Sequence, residues 1–217
     1  MLVKNRMSSP VMTIAPDVPI ADALAQMKKE KIRRYPVVDK KGKLIGIVSE
    51  SDLLNASPSE ATSLSVWEVN YLLSKITIER VMCRDVITVD EDCPIEEAAR
   101  IMADHKIGGL PVMQESNVVG IITETDLFKI FLELLGARTS GVRVTMSVQD
   151  VPGKLSEITN AVYRAGGNFI SLSTFLGEST STATITIKVN NTTKEALEKE
   201  ILPFVERIID IRQMNVG

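Results

Sequence analysis

The sequence predicts an α+β protein of two parts, and three observations lead to this prediction. A stretch at residues 46–52, GIVSESD, returns at residues 120–126 as GIITETD. Around both stretches, short apolar runs alternate with segments of helical spacing, which is typical of mixed strands and helices. Residues 142–148 then alternate strictly between apolar and polar side chains, so a half-buried strand opens a second part with a different pattern.

The composition excludes several classes of protein. A net charge of −3 and an aromatic content of 4% predict neither a general attraction for nucleic acid nor a surface for stacking bases. No apolar run approaches the roughly 18 residues of a membrane helix, and the first residues do not resemble a signal peptide, so we expect a cytoplasmic protein. Cys83 and Cys93 lack metal or redox spacing and His105 is the only histidine, so no metal site and no catalytic triad is predicted.

The repeat extends well beyond the two similar stretches. Residues 7–53 align with residues 82–127 at an offset of 75 (94 − 19, from Pro94 and Pro19), which falls to 74 (120 − 46) at Gly46 and Gly120. Each copy is predicted to fold as strand, helix, strand, strand, helix. Two copies of one such unit are expected to bury their apolar faces against each other.

The repeated stretch places a hydroxyl residue and an aspartate at the start of a helix. Ser49 and Asp52 in the first copy correspond to Thr123 and Asp126 in the second. A helix start favours anions such as phosphate, the hydroxyl can donate to a phosphate, and the aspartate can accept from the hydroxyls of a ribose. The same residues also fit a capping box, in an Asp variant, that satisfies the helix's own backbone donors. Both interpretations remain open at this stage.

Both copies resemble CBS domains, the module named after cystathionine beta-synthase. The resemblance is carried by VPI, YPVVD and GIVSESD in the first copy and by CPI, GLPV and GIITETD in the second. It covers about residues 1–136, as units 1–54 and 76–136 with a connector at 55–75. CBS domains pair about a pseudo-twofold axis and often bind adenine nucleotides in the two clefts. The resemblance therefore implies AMP, ADP or ATP as a regulatory ligand, with no required cofactor.

The resemblance also implies which residues line the two clefts. The hydroxyl and the aspartate would contact phosphate and ribose, and the residues around the Pro-Val pair and in the first strand would line the base. The implied nucleotide-binding residues are Thr13, Ile14, Arg34, Tyr35, Pro36, Ser49 and Asp52 in the first copy, and Thr88, Val89, Gly108, Gly109, Leu110, Pro111, Thr123 and Asp126 in the second.

The two copies differ next to the Pro-Val pair. Arg33 and Arg34 in the first copy align with Gly108 and Gly109 in the second. Arginine offers paired donors to a phosphate, whereas glycine permits close approach of a ligand. We therefore expect unequal clefts, one with fixed positive charge and one with more room. The alternative is that both arginines are solvated and continue the basic run that begins at Lys28.

The connector at 55–75 is predicted to contain a short helix at residues 66–73. Trp67 and Tyr71 are four residues apart and share one face of that helix. This face either packs on the repeated units or meets a partner.

The second part is predicted to fold as β, α, β, β, α, β after a linker at residues 136–141, which is a ferredoxin-like arrangement. The stretches DVPGKL at 150–155 and GNFI at 167–170 resemble an ACT domain, covering residues 142–217. ACT domains commonly pair edge to edge and bind amino acids at that interface. The resemblance implies that Asp150, Pro152, Gly153, Leu155 and Asn168 contact an amino acid, while the same turn also fits a plain connection between strand and helix.

A CBS pair followed by an ACT domain resembles the acetoin-utilisation regulatory protein family of bacteria. This resemblance implies a non-enzymatic ligand sensor that forms a homodimer or higher homo-oligomer and controls a target protein. Three alternatives remain open: an assembly module with empty clefts, an enzyme that processes the nucleotide, and a nucleic-acid binder that uses the basic residues between 28 and 43.

Overall fold

The computed structural model describes residues 1–56 and 75–216. The chain divides into two compact units, Met1–Leu127 and Phe128–Gly217. The short helix predicted in the connector, with Trp67 and Tyr71, lies outside the described residues. In the described part of the chain, no helix combines the length and the apolar character that crossing a lipid bilayer requires.

The first copy of the repeat forms helix α1 (Ile20–Glu30), strands β1 (Arg34–Val38) and β2 (Leu44–Ser49), and helix α2 (Glu50–Asn55). The antiparallel hairpin of β1 and β2 turns at Gly42, whose φ is +80°. The expected first strand is reduced to a single parallel bridge between Ile14 and Val37. Apart from this strand, the predicted element order of the first copy is confirmed.

The second copy has the complete predicted order. A short helix α3 (Ile78–Val81) precedes strand β3 (Val89–Asp90), helix α4 (Ile95–His105), strands β4 (Gly109–Gln114) and β5 (Asn117–Thr123), and helix α5 (Glu124–Leu134). Strand β3 pairs parallel with β4, which pairs antiparallel with β5. The symmetry between the copies extends to the ends of α1 and α4, where Lys31 and Lys106 both adopt a left-handed backbone with φ of 55° and 54°.

Each copy is completed by the segment that precedes the other copy in the sequence. Residues 1–8 lie on the second copy, where the Val3 N–H donates to the Cys93 carbonyl at 2.9 Å and Ser8 bridges to Ile121. Residues 76–83 lie on the first copy in the same way, where the Ile78 N–H donates to the Val18 carbonyl at 2.9 Å. Each copy is therefore incomplete without the segment that precedes the other copy.

Two glycines of the repeat make this exchange possible. Gly46 and Gly120 open the two similar stretches, and a side chain at either position would collide with a methionine of the exchanged segment. Met82 lies against Gly46 and Met7 lies against Gly120. Because glycine has no Cβ atom, each of these positions leaves space that a methionine fills. Packing therefore explains why each stretch begins with glycine.

The second unit contains a four-stranded antiparallel sheet within residues 141–214. Its elements are β6 (Gly141–Gln149), α6 (Lys154–Arg164), β7 (Asn168–Leu176), β8 (Thr182–Asn190), α7 (Lys194–Ile201) and β9 (Arg207–Met214). The strands lie in the order β7-β8-β6-β9, and the predicted sequence of β, α, β, β, α, β is present. Val142, Val144, Met146 and Val148 form one core with residues of α6 and α7, so both helices cover the same face of the sheet.

The predicted linker at 136–141 begins as a packed segment. Gly136 is buried, and Lys188, a residue that is only 3% exposed, donates from its ammonium to the Gly136 carbonyl at 2.8 Å. Ser171 Oγ donates to the Leu135 carbonyl at 3.3 Å. Both carbonyls follow the last residues of α5, where the helix dipole favours a positive charge. The Lys188 charge is therefore compensated inside the unit by the end of this helix.

Candidate functional site

In the first copy, the three stretches predicted to line a cleft meet beside the β1–β2 hairpin. Ile14 bridges to Val37, and its N–H donates to the Pro36 carbonyl at 3.0 Å. Arg34 is the register partner of Ser49 across the hairpin. The segment with Thr13 and Ile14, the strand start at Arg34 and the helix start at Ser49 and Asp52 are therefore adjacent, although they are distant in the sequence.

The second copy brings the corresponding residues together. Val89 pairs with Val112, and Gly109 is the register partner of Thr123. This register places Thr88 and Val89, the segment 108–111, and the start of α5 at Thr123 and Asp126 around the same end of the strands. In both copies, the segments that carry the predicted residues therefore lie next to each other.

The side chains of Tyr35 and Leu110 do not face a cleft. Both are fully buried, and Tyr35 belongs to the core of the first copy. Its hydroxyl makes no hydrogen bond to any described residue. Burial raises the pKa of Tyr35, and the nearby Glu30 carboxylate raises it further. These two predicted base-lining residues can therefore reach a ligand only through their backbone. Their strands are buried over consecutive residues, 35–37 and 109–112, so no alternation of apolar and polar residues in the sequence shows which face each side chain takes.

The repeated hydroxyl and aspartate form a capping box in the first copy. The Asp52 carboxylate Oδ2 accepts from the Ser49 N–H at 2.8 Å and from Ser49 Oγ at 2.6 Å, while the Asp52 N–H donates to Ser49 Oγ at 3.3 Å. In the second copy, Asp126 Oδ2 accepts from the Thr123 N–H at 3.1 Å and from Thr123 Oγ1 at 2.7 Å. The capping interpretation is therefore present in the structure.

Capping and ligand binding are compatible at this position. The Asp52 carboxylate accepts both of its hydrogen bonds from Ser49 at Oδ2, and Asp52 is exposed. A carboxylate has two acceptor oxygens, so Oδ1 can accept a ribose hydroxyl while Oδ2 holds the helix start. The cap also fixes the carboxylate in one orientation, which lowers the entropic cost of binding.

The Arg34 side chain lies over Gly108 and Gly109, the two residues of the second copy that align with Arg33 and Arg34. A side chain at Gly108 would collide with the Arg34 guanidinium, and the Cβ position of Gly109 is 3.3 Å from Arg34 Cδ and 3.4 Å from Thr123 Cγ2. Arg33 is exposed, whereas Arg34 is half-buried. The sequence predicted positive charge in one cleft and more space in the other. In the structure, the Arg34 guanidinium and the two glycines instead lie at one place, beside Thr123.

The second unit contains a cavity of about 450 Å³ at the turn between β6 and α6. It is lined by Asp150, Pro152, Gly153 and Leu155, four of the five residues implied for amino-acid binding, and by Thr174 on β7. Asn168 is not among its lining residues, because it follows the opposite end of α6. Thr174 was missed by sequence reasoning, since a register shift between Phe169 and Ser171 in β7 leaves no readable signal for it.

The described residues show no arrangement for holding a metal ion. Across residues 1–56 and 75–216, no three or more histidine, cysteine, aspartate or glutamate side chains are grouped as metal ligands would be.

Comparison with known proteins concerns the first unit. The family model of the CBS domain matches residues 3–59 and 78–133. An L-aspartate semialdehyde sulfurtransferase of Methanocaldococcus jannaschii is 34% identical over 131 residues, which is 60% of this chain. The match spans only 23% of the length of that enzyme.

Three solved structures are each similar to about three fifths of the chain. A CBS domain pair in complex with 5′-methylthioadenosine and S-adenosyl-L-methionine is 34% identical with a TM-score of 0.51, covering 60% of this chain and 95% of that one. A Vibrio cholerae protein assigned to acetoin utilization is 34% identical with a TM-score of 0.52, covering 63% and 93%. The protein CBSX2 in complex with AMP is 25% identical with a TM-score of 0.51, covering 60% and 96%.

Proposed function

This chain belongs to the CBS domain family, and we propose that its first unit is a regulatory sensor that binds an adenine nucleotide or a related adenosyl ligand. One observation carries the proposal. In each copy, a first-strand pair, the residues before Pro-Val and a hydroxyl–aspartate pair, all distant in sequence, converge beside one strand end. The solved relatives with AMP or with 5′-methylthioadenosine and S-adenosyl-L-methionine support the ligand class.

The proposed role is regulatory rather than enzymatic. CBS domain pairs are regulatory modules, and the match to the sulfurtransferase covers only a minor part of that enzyme. The Vibrio cholerae relative assigned to acetoin utilization supports a target in that metabolism. A sensor of this kind requires a ligand that binds one arrangement of the protein more tightly than another.

The two aspartates provide the first test of nucleotide binding. Asp52→Ala and Asp126→Ala are each expected to weaken binding of AMP or ADP by about 1 to 2 kcal/mol, because a hydrogen bond from the ribose to the carboxylate is lost. Isothermal titration calorimetry measures this change. Ser51→Ala and Thr125→Ala, exposed neighbours in the same motifs, serve as matched controls and should retain the affinity of the unaltered protein.

Unfolding measurements separate the binding role from the capping role. Loss of a helix cap costs about 1 kcal/mol, so both aspartate variants should also unfold at a lower temperature. If they are destabilised yet bind AMP as tightly as the unaltered protein, the aspartates act only as caps. If AMP, ADP, ATP, adenosine and 5′-methylthioadenosine all give neither heat nor a thermal shift with the unaltered protein, the sensor proposal fails and an assembly module is favoured.

For the second unit, the cavity favours a separate function. We propose that residues 142–217 form an ACT domain that binds an amino acid at an interface between two copies of the chain. The sheet order β7-β8-β6-β9 with two helices on one face supports the assignment. The backbone N–H groups at the start of α6 suit a carboxylate, and Asp150 offers an anion to an ammonium group.

A second copy would bring Asn168 to the cavity. Strand β7 is an edge strand, and its two ends carry Asn168 and, near the other end, the cavity residue Thr174. Antiparallel pairing of β7 with β7 of another copy places the beginning of one strand beside the end of the other. The site proposed for the amino acid is therefore complete only in a dimer.

Substitution of Asn168 tests this arrangement. Asn168→Ala is expected to weaken binding of the preferred amino acid by about 1 to 2 kcal/mol, whereas Asn160→Ala, at an exposed asparagine of α6, should have no effect. Calorimetry with each proteinogenic amino acid identifies the ligand. Light scattering should give at least twice the 23.8 kDa of one chain; a monomer at micromolar concentration, or equal behaviour of the two variants, contradicts the proposal.

A further inference from the structure

Glu124 approaches the same small volume as the Arg34 guanidinium. Its Oε2 atom is 2.8 Å from the position that a Cβ atom on Gly108 would take, and the guanidinium comes still closer to that position. The backbone holds Glu124 there, since its N–H donates to the Gly108 carbonyl at 3.2 Å. Glu124 is also the first residue of α5 and follows Thr123 directly. A carboxylate and a guanidinium therefore flank one point beside the proposed phosphate contact.

A phosphate at this place would meet both charges. The guanidinium attracts oxyanions and binds carboxylate and phosphate through the same paired donors. The Glu124 carboxylate lies close enough to attract the same guanidinium, which would leave the arginine less able to bind a phosphate. A nucleoside without phosphate experiences neither effect. The balance between Arg34 and Glu124 therefore changes the affinity for phosphorylated ligands relative to nucleosides.

We propose that Glu124 is a specificity-determining residue, an internal anion that competes with the ligand's phosphate for Arg34 and so reduces the preference of the second-copy site for phosphorylated adenine ligands. This inference rests on the proposed nucleotide binding by the first unit. It assigns to Glu124 a role distinct from those of Thr123 and Asp126, which hold the start of the helix.

The first copy offers a matched control. Glu50 occupies the corresponding position in its motif, and its N–H donates to the Arg33 carbonyl at 2.9 Å just as that of Glu124 donates to Gly108. The residue that corresponds to Arg34 is Gly109, which has no side chain to extend toward Glu50. The two glutamates thus share backbone geometry and helix position but differ in whether the other copy presents an arginine.

The test compares AMP with adenosine in calorimetric titrations. Glu124→Gln is expected to tighten AMP binding by about two- to fivefold, the range of a screened charge pair near the surface, and to leave adenosine unchanged. Glu50→Gln should change neither ligand. In the double variant Arg34→Ala with Glu124→Gln, the gain for AMP should disappear, because the competition requires the arginine.

Each of the other possible results of these titrations contradicts one specific claim. If Glu124→Gln leaves the ratio of AMP to adenosine affinity unchanged, or if Glu50→Gln gives the same gain, Glu124 acts only as an ordinary first-turn residue. If the gain persists without Arg34, direct repulsion alone explains it and the competition is wrong. If the unaltered protein binds no adenine ligand at all, both the proposed function and this inference are wrong. In the preceding outcomes the protein still binds adenine ligands, so only the role of Glu124 is contradicted.

Discussion

Replacing Ile78 with alanine is expected to lower the free energy of unfolding of the first unit by about 2 to 5 kcal/mol. Ile78 is fully buried and belongs to the core formed by Ile20, Val37 and other residues of the first copy. Truncation removes apolar surface from this core and leaves a cavity that neighbouring side chains fill only in part. Chemical denaturation measures the change.

The region that is destabilised by Ile78→Ala can be located as well as the loss of stability measured. Amide hydrogen exchange should show loss of protection in the β1–β2 hairpin, residues 34–49, although Ile78 precedes the second copy in the sequence. Arg80→Ala, at an exposed residue of the same short helix, is the matched control and should change stability by less than about 0.5 kcal/mol. Equal stability of the two variants would contradict the exchange of segments between the copies.

Arg34→Ala is expected to weaken binding of ADP and ATP by about 2 to 3 kcal/mol and of adenosine by much less. Hydrogen bonds from a charged donor to a phosphate contribute more than neutral ones, and Arg34 is half-buried beside Thr123, where solvent screens its charge only in part. The dependence of ADP affinity on salt concentration should also flatten, because one charge pair is removed. Calorimetry at two salt concentrations measures both effects.

Arg33→Ala is the matched control for Arg34. The Arg33 side chain is exposed, and the contact of this residue to the motif is made by its carbonyl, which accepts from the Glu50 N–H. Its removal should therefore leave the binding of all adenine ligands nearly unchanged. If both arginine variants bind ADP, ATP and adenosine like the unaltered protein, the two arginines are solvated residues of a basic surface.

Most elements of both units could be predicted from the sequence because their signals are local, whereas the short helix α3 was not predicted and the expected first strand of the first copy is only a bridge. Apolar spacing identified α1 and α4, and the alternation from Val142 to Val148 identified β6, since these periods reflect which face each side chain presents. The duplication added a second, independent instance of each signal. Such patterns report the conformation of a segment and the face that it buries.

The same patterns could not show which partner a segment packs against. Val3 and Ile78 each precede one copy, yet each is buried against the other copy, and no periodicity encodes this choice. The alignment of Arg34 with Gly109 likewise suggested a difference between two clefts. Only the folded arrangement shows the arginine lying over the glycines, because that contact joins residues from different copies.

The candidate sites were predictable in part for a similar reason. Motif positions placed Ser49, Asp52, Thr123 and Asp126 correctly at helix starts, because a cap is a contact between near neighbours. Tyr35 lies on the strand that pairs with the one leading to Ser49, but its side chain enters the core. Asn168 and the turn at residues 150–155 lie at opposite ends of α6, a separation that the resemblance alone did not convey.

The exchange of terminal segments makes the two halves of the CBS pair complementary fragments. A piece containing residues 1–56 carries Val3 and Met7, which the second copy requires, while a piece beginning at residue 75 carries Ile78 and Met82, which the first copy requires. Neither piece contains a whole copy, yet together they contain both. Reassociation of two such fragments would therefore complete both copies, and with them the proposed nucleotide sites, in one event.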